Sequence, residues 1–157
     1  MTEPIWKTPF TPELLNRLSQ GTANAALGIE VTEVGPDWLR GRMPVDTRTR
    51  QPAGILHGGA SVLLAETLAS FAGTFAVDAT RHSVVGQEIN ANHLRPLTQG
   101  WVIGTTRPVH LGRRSQVWET RIDSEEGKLV CISRMTLAVI DRPAPAEASS
   151  ASDQRGQ

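Results

Sequence analysis

The chain has few of the features that signal several common activities. It carries one cysteine, Cys131, in 157 residues. That excludes an intramolecular disulfide framework and suits a reducing cytosol. No charge predominates: acidic and basic residues number 16 each. The balance gives no support for nucleic acid or an anionic membrane as the main partner. His57, His82, His93 and His110 fall at no metal-ligand spacing, and the cysteine has no partner, so no metal is expected. There is no phosphate-binding loop with a following lysine, no G-x-S-x-G elbow and no internal repeat. The first ten residues, MTEPIWKTPF, lack a basic segment followed by an apolar run, so a cytoplasmic protein without a signal peptide is expected. At this length one domain is expected, able to bury roughly two-thirds of its unfolded surface.

What the chain does have is concentrated between Gln51 and Ser70, QPAGILHGGASVLLAETLAS. A loop with Pro52 and Gly54 leads through His57-Gly58-Gly59 into an apolar segment. From Gly58 to Val77 only Glu66 is charged. At a bilayer centre that carboxylate would cost ~2.5–3.5 kcal/mol. The segment is therefore read as a buried core helix of a soluble protein, fading around residues 77–79.

The flanking elements follow from turn and periodicity signals. Thr11-Pro12-Glu13 predicts a short helix with Thr at the N-cap, Pro at the first position and a stop near Gly21. Residues 27–45 predict a β-hairpin turning at Gly35-Pro36-Asp37. Beyond the helix, residues 83–95, 101–111, 115–123 and 128–140 predict a four-stranded β-meander, with a hairpin turn at Glu125-Glu126-Gly127. Trp6, Trp38, Trp101 and Trp118 are scattered among strands and lead-in and read as packing residues. From Asp141 onward Pro, Ala, Ser and Gln predict a disordered tail, so the domain spans 27–140 after a lead-in over 1–26. The expected class is α+β, an antiparallel sheet wrapped around one helix. A helix apolar on nearly all sides needs more cover than one curved sheet gives, so a homo-oligomer is expected.

Two features of the helix carry chemistry. Gly58-Gly59 at its start leaves backbone N–H groups at the positive end of the helix dipole, open to close approach by a carbonyl or oxyanion. Such N–H groups can stabilise an acyl transition state, although a tight loop-to-helix turn needs the same glycines. Glu66, with Ser70 one turn later on the same face, can hold and deprotonate a water. A glutamate paired with an arginine across an interface is the structural alternative. Gly58 and Glu66 are separated by about 12 Å of helix rise, too far to serve one carbonyl within a chain. If they cooperate, two antiparallel helices across a two-fold axis must supply them, giving a site shared between subunits. Gln51 can donate its amide to the same oxygen, and His57 can orient the loop or donate a hydrogen bond. Either can equally be an ordinary polar loop residue. His110-Leu111-Gly112-Arg113-Arg114-Ser115 places two forked cations at a strand end, suited to phosphate or simply to a solvated turn.

Together, Gln51, His57-Gly58-Gly59, Glu66 and Ser70 resemble the Glu-dependent branch of the hotdog-fold acyl-CoA thioesterases. That branch contains 4-hydroxybenzoyl-CoA, phenylacetate-pathway and 1,4-dihydroxy-2-naphthoyl-CoA thioesterases. The resemblance continues through VVGQEINANHLRP (84–96), PVHLGRRSQVW (108–118) and CISRMT from Cys131, and covers about 27–140. It implies a hotdog fold, acyl-CoA as the small-molecule substrate, no separate cofactor, and a dimer that doubles to a tetramer. It implies Glu66 as nucleophile or general base, the Gly58 N–H polarising the carbonyl with Gln51 in support, Ser70 positioning water, and His57 assisting near the thioester. It also implies coenzyme contacts at Gly86, Asn92, His93, Arg95, Arg134 and the turn from His110 through Ser115. Ala53 stands where several members of the family carry an aromatic residue, which leaves the acyl group open. A hotdog hydratase or dehydratase and a non-catalytic acyl-CoA sensor are the alternatives.

Overall fold

The computed structural model describes residues 3–142. The chain order is α1 (Pro12–Leu18), α2 (Ala23–Ala26), β1 (Glu30–Val34), β2 (Leu39–Pro44), α3 (Gly58–Phe75), β3 (His82–His93), β4 (Trp101–Leu111), β5 (Ser115–Ser124) and β6 (Leu129–Asp141). Six antiparallel strands form one sheet in the order β1-β2-β4-β5-β6-β3, and α3 lies against it. This is the hotdog arrangement expected of the sequence. No helix among the described residues is long and apolar enough to cross a membrane.

The expected hairpin over 27–45 is present as β1 and β2, preceded by α2, a single turn capped by the Thr22 hydroxyl that carries no apolar periodicity to announce it. α1 starts as predicted, with Thr11 Oγ1 accepting from the Leu14 N–H, but it is capped at Ser19 before Gly21 is reached. The expected four-stranded meander needs correction. Only β4, β5 and β6 run as a meander; β3 pairs with β6 at the far edge, not with β4. The cause is the connection over 94–100. The Leu94 N–H donates to the Val130 carbonyl at 2.8 Å, and the Leu97 carbonyl accepts from the Leu56 N–H at 2.7 Å. Those two bonds draw the connection past the loop that opens α3 and return the chain beside β2. The last strand runs through Asp141, one residue into the expected tail, whose remainder from 143 lies outside the described residues.

Helix and sheet meet closely because the sheet lacks side chains where α3 crosses it. Gly41 and Gly104 are register partners on β2 and β4. A Cβ on Gly41 would lie 2.9 Å from Leu68 Cδ2, and one on Gly104 would lie 2.8 Å from Leu68 Cδ1. The fully buried Leu68 fills the trough these glycines leave. Further along, Gly73 brings the helix backbone against β5. There the buried Gln116 accepts from Trp118 Nε1 at 2.8 Å and donates to the Gly73 carbonyl at 3.3 Å. Burying a Gln is tolerable only because both ends of its amide are engaged. Trp6 of the lead-in stacks on Trp118 of β5 at 6.4 Å, and Phe10 stacks on Phe75 at 4.2 Å, fastening residues 5–10 to β5 and to the C-terminal end of α3.

Candidate active site

The sheet covers one side of α3 and leaves a stripe uncovered. Ser61, Leu64, Ala65, Leu68, Ala69 and Ala72 are buried. Gly59, Glu66 and Thr74 are exposed, with Val62, Leu63 and Ser70 intermediate between them. These positions recur three and four apart, so they form one line along the helix. Glu66 is therefore on the surface of the single chain, not buried in it as the apolar run suggested. Of its apolar neighbours, Leu64, Ala65, Leu68 and Ala69 are buried on the other faces, while Val62 and Leu63 share its stripe.

At the start of α3 the two glycines have different roles. His57 is the N-cap, with its Nδ1 accepting from the Gly59 N–H at 2.8 Å. An accepting Nδ1 places the imidazole proton on Nε2. The Gly58 N–H has no hydrogen-bond partner among the described residues. It points from the first turn of the helix, where partial positive charge accumulates. Beside it a cleft of about 420 Å³ is lined by Gln51, Gly58, Ser61, His93 and Arg95 among others. Gln51 Oε1 accepts from the Ala53 N–H, which leaves the side-chain NH₂ as the free donor.

Glu66 faces β3. A Cβ on Gly86 would come 3.5 Å from Glu66 Oε1, and Gly86, Gln87, Glu88, Ile89 and Met135 line a small hollow with Glu66. The β3–β6 register slips between Gly86 and Glu88 at this level, leaving Gln87 unpaired. Such bulges re-aim side chains next to sites. Nothing in the alternation of residues 82–93 announces it. Ser70 follows Glu66 by one turn, but its hydroxyl lies 4.0 Å from Met135 Sδ.

The expected coenzyme contacts separate into four places, the first being the hollow where Gly86 lies beside Glu66. His93 and Arg95 join the Gly58 cleft. Asn92 and Arg134 lie on the other face of the sheet, since their register partners alternate with the inward-facing Cys131 and Ser133; Arg134 there pairs with Glu119 at 3.2 Å. Gly112, Arg113 and Arg114 border a recess of about 640 Å³ at the opposite end of α3, with Ala76 and Val77. His110 packs on Gly112, whose N–H donates to the Ser115 carbonyl at 2.9 Å, so the turn is closed. Leu111 is exposed at the end of β4. The Gly58 cleft and the arginine recess are thus divided by the length of an 18-residue helix, about 27 Å.

A helix wrapped by this sheet, with an open N–H at its start and a lone exposed carboxylate on its free stripe, fits thioester hydrolysis, and the chain belongs to the thioesterase superfamily, whose family model matches residues 53–131. It is a thioester hydrolase of the hotdog fold acting on acyl-CoA or similar thioesters. Among its relatives, the 1,4-dihydroxy-2-naphthoyl-CoA hydrolase of Escherichia coli is 48% identical over 136 residues, covering 87% of this chain and 99% of that protein. The proofreading thioesterase EntH of Cronobacter turicensis is 52% identical, covering 87% and 98%. A crystal structure of a thioesterase from Haemophilus influenzae superposes with a TM-score of 0.85 at 51% identity, covering 87% of this chain and 95% of that one.

Proposed function

We propose that this enzyme hydrolyses acyl-CoA thioesters carrying an aromatic or medium-length acyl group, at a site built by two subunits. One subunit contributes Gly58, Gln51 and His57, and the partner subunit's Glu66 and Ser70 complete it. The observation that carries the reading is the pairing of an unengaged Gly58 N–H with an exposed Glu66 on one helix, about 12 Å apart along its axis. Antiparallel packing of two such helices brings each start beside the other's carboxylate, and it covers the free stripe. The names of the relatives, one of them a CoA-thioester hydrolase, favour a CoA thioester as substrate.

In this scheme the thioester oxygen accepts from the Gly58 N–H, with the Gln51 NH₂ as second donor. Glu66 takes a proton from water as the water oxygen bonds to the carbonyl carbon, or attacks that carbon itself to give an anhydride that water then opens. Negative charge collects on the oxygen at the helix start, where a fixed N–H needs no reorganisation to meet it. By the first route the C–S bond then breaks and the thiolate receives the proton that Glu66 held. By the second the C–S bond breaks as the anhydride forms, the thiolate takes its proton from solvent, and water opening the anhydride releases the free acid and restores the Glu66 carboxylate. His57 holds the first turn in place through Gly59, a role compatible with a place near the thioester.

Mixed dimers test the sharing. A Glu66→Gln chain is combined with a Gly58→Pro chain, and thiol release from benzoyl-CoA is measured on the purified heterodimer. One of its two sites keeps both groups, so about half the wild-type activity per dimer is expected. A verified heterodimer as inactive as its parents overturns the shared site. Thiol release across benzoyl-, phenylacetyl-, dihydroxynaphthoyl- and straight-chain acyl-CoAs identifies the acyl group.

A further inference from the structure

The small hollow beside Glu66, about 150 Å³, has Met135 as its buried wall. Met135 is 2% exposed and sits on β6 between its register partners, Ile89 of β3 and Trp118 of β5. A Cβ on Gly86 would meet Met135 Cε at 3.0 Å and Glu66 Oε1 at 3.5 Å, so the thioether methyl and the carboxylate border the same gap in β3. The sulfur bonded to that methyl lies 4.0 Å from the Ser70 hydroxyl. One buried side chain thus reaches both the space beside Glu66 and the hydroxyl one turn further along α3, all within a single chain. Leucine would fill the same volume, so packing alone does not call for sulfur here.

The contact fixes which way Ser70 points. A hydroxyl inside a helix commonly donates to the carbonyl four residues back. Thr74 does so on this helix, its Oγ1 donating to the Ser70 carbonyl at 2.8 Å. Ser70 does not: among the described residues the one hydrogen-bond partner of its hydroxyl is Met135 Sδ, and the Glu66 carbonyl receives nothing from it. A hydroxyl has one proton and two lone pairs, and a thioether can only accept, weakly. With the proton turned to sulfur on the sheet side, the lone pairs of Ser70 face away from Met135, toward the uncovered stripe that carries Glu66.

We infer that Met135 is a positioning residue for the hydrolytic water: by accepting the Ser70 O–H it makes Ser70 Oγ an acceptor, so that a water held between Glu66 and Ser70 donates one proton to each. This rests on the reading of Glu66 as general base proposed above. Both protons of the water are then held by the helix, and its oxygen lone pairs are free for the thioester carbon. As the C–O bond forms, the proton facing Glu66 passes to the carboxylate. The other stays on the attacking oxygen and keeps its hydrogen bond to Ser70, which neither gains nor loses a proton. With its hydroxyl turned the other way, Ser70 would donate to the water and occupy a lone pair that the attack needs.

The test is a kinetic cycle on the full chain with benzoyl-CoA, or with whichever acyl-CoA of the panel above turns over fastest. Met135→Leu keeps the bulk and removes the acceptor. Its kcat is expected to fall roughly two- to tenfold, the contribution of one hydrogen bond, with KM unchanged. Ser70→Ala has no hydroxyl to direct, so adding Met135→Leu to it should lower kcat no further. A purely structural Met135 would lower kcat by the same factor in both backgrounds. That additivity overturns the inference, as does wild-type turnover in either Met135→Leu or Ser70→Ala. If Met135→Leu fails to fold, norleucine incorporated in place of methionine exchanges sulfur for CH₂ alone, and the same comparison is made with and without Ser70→Ala. Glu66→Gln separates the two possible failures. Lost turnover there with an additive cycle leaves Glu66 as the base and removes the role of Met135; near-normal turnover removes the base, and the inference with it.

Discussion

The His93 imidazole lies over the first residue of α3, close enough that a Cβ on Gly58 would come within 2.7 Å of its Nε2. Two substitutions at Gly58 therefore separate steric from electrostatic effects. Gly58→Ala keeps the N–H and obliges His93 to move. Gly58→Pro removes the N–H at the one helical position where proline is favoured, and His57 before it already has the extended φ of −72° and ψ of 129° that proline tolerates. Loss of one oxyanion donor predicts a fall of ~10²–10³ in kcat for Gly58→Pro, with a thermal midpoint near that of Gly58→Ala. Equal activity in the two variants would remove the N–H from the mechanism.

Glu66 is exposed in the single chain, which decouples its chemistry from folding of the subunit. Glu66→Gln is expected to lower turnover by at least ~100-fold, the scale of a lost general base. Its effect on subunit stability should stay within ~0.5 kcal/mol, as for other surface substitutions. Thiol-release kinetics and urea unfolding on the same preparation check both halves. Near-normal turnover would refute the assignment.

Leu68 fills the trough made by Gly41 and Gly104, and that trough sets the distance between α3 and the sheet. Gly104→Val should cost ~1–3 kcal/mol through overpacking, and Leu68→Ala ~2–5 kcal/mol through the cavity it leaves. Because they act on one contact, the double variant should fall short of the sum, which urea unfolding of all three reads directly.

Much of this was legible in the sequence because it is local. Thr11-Pro12 fixed the start of α1, Gly35-Pro36-Asp37 the hairpin, and the Gly58–Val77 run the central helix. Pairing of β3 with β6 was not legible, since strand order depends on where residues 94–100 are tied, and those bonds are to distant backbone. The site divides the same way. Glu66 stood out as the lone charge in an apolar helix, yet its exposure required knowing which stripe the sheet leaves free. The capping role of His57 had a signal, a histidine directly before a helix-opening glycine pair. Met135 had none; only folding brings it to the hollow beside Glu66 and to the Ser70 hydroxyl.

The turn after α3 gives a pH dependence with a definite sign. Hydrogen bonds from Thr80, side chain first and then backbone, hold the Asp78 carboxyl below the usual carboxylate range, with nearby Arg81 and His82 adding to the effect. A group whose pKa is lowered by folding stabilises the protein above its unfolded value, and the contribution is lost as pH falls through the lowered folded value. Asp78→Asn should therefore flatten the acid limb of a plot of thermal midpoint against pH without changing its shape above neutrality. Because Asp78 is exposed, the difference should be small and should shrink in high salt.

Gln116 offers a stability test independent of catalysis. Its amide joins Trp118 Nε1 to the Gly73 carbonyl, and both Gln116 and Trp118 are buried. Gln116→Leu keeps approximately the same bulk but leaves a buried indole N–H without a partner, at a cost of ~1–3 kcal/mol. Adding Trp118→Phe removes that orphaned donor. If the hydrogen bond is what matters, the double variant should lose less than the two single losses combined, by ~1 kcal/mol or more. Simple additivity in urea unfolding would mean instead that shape, and not the amide's two bonds, keeps α3 seated on β5.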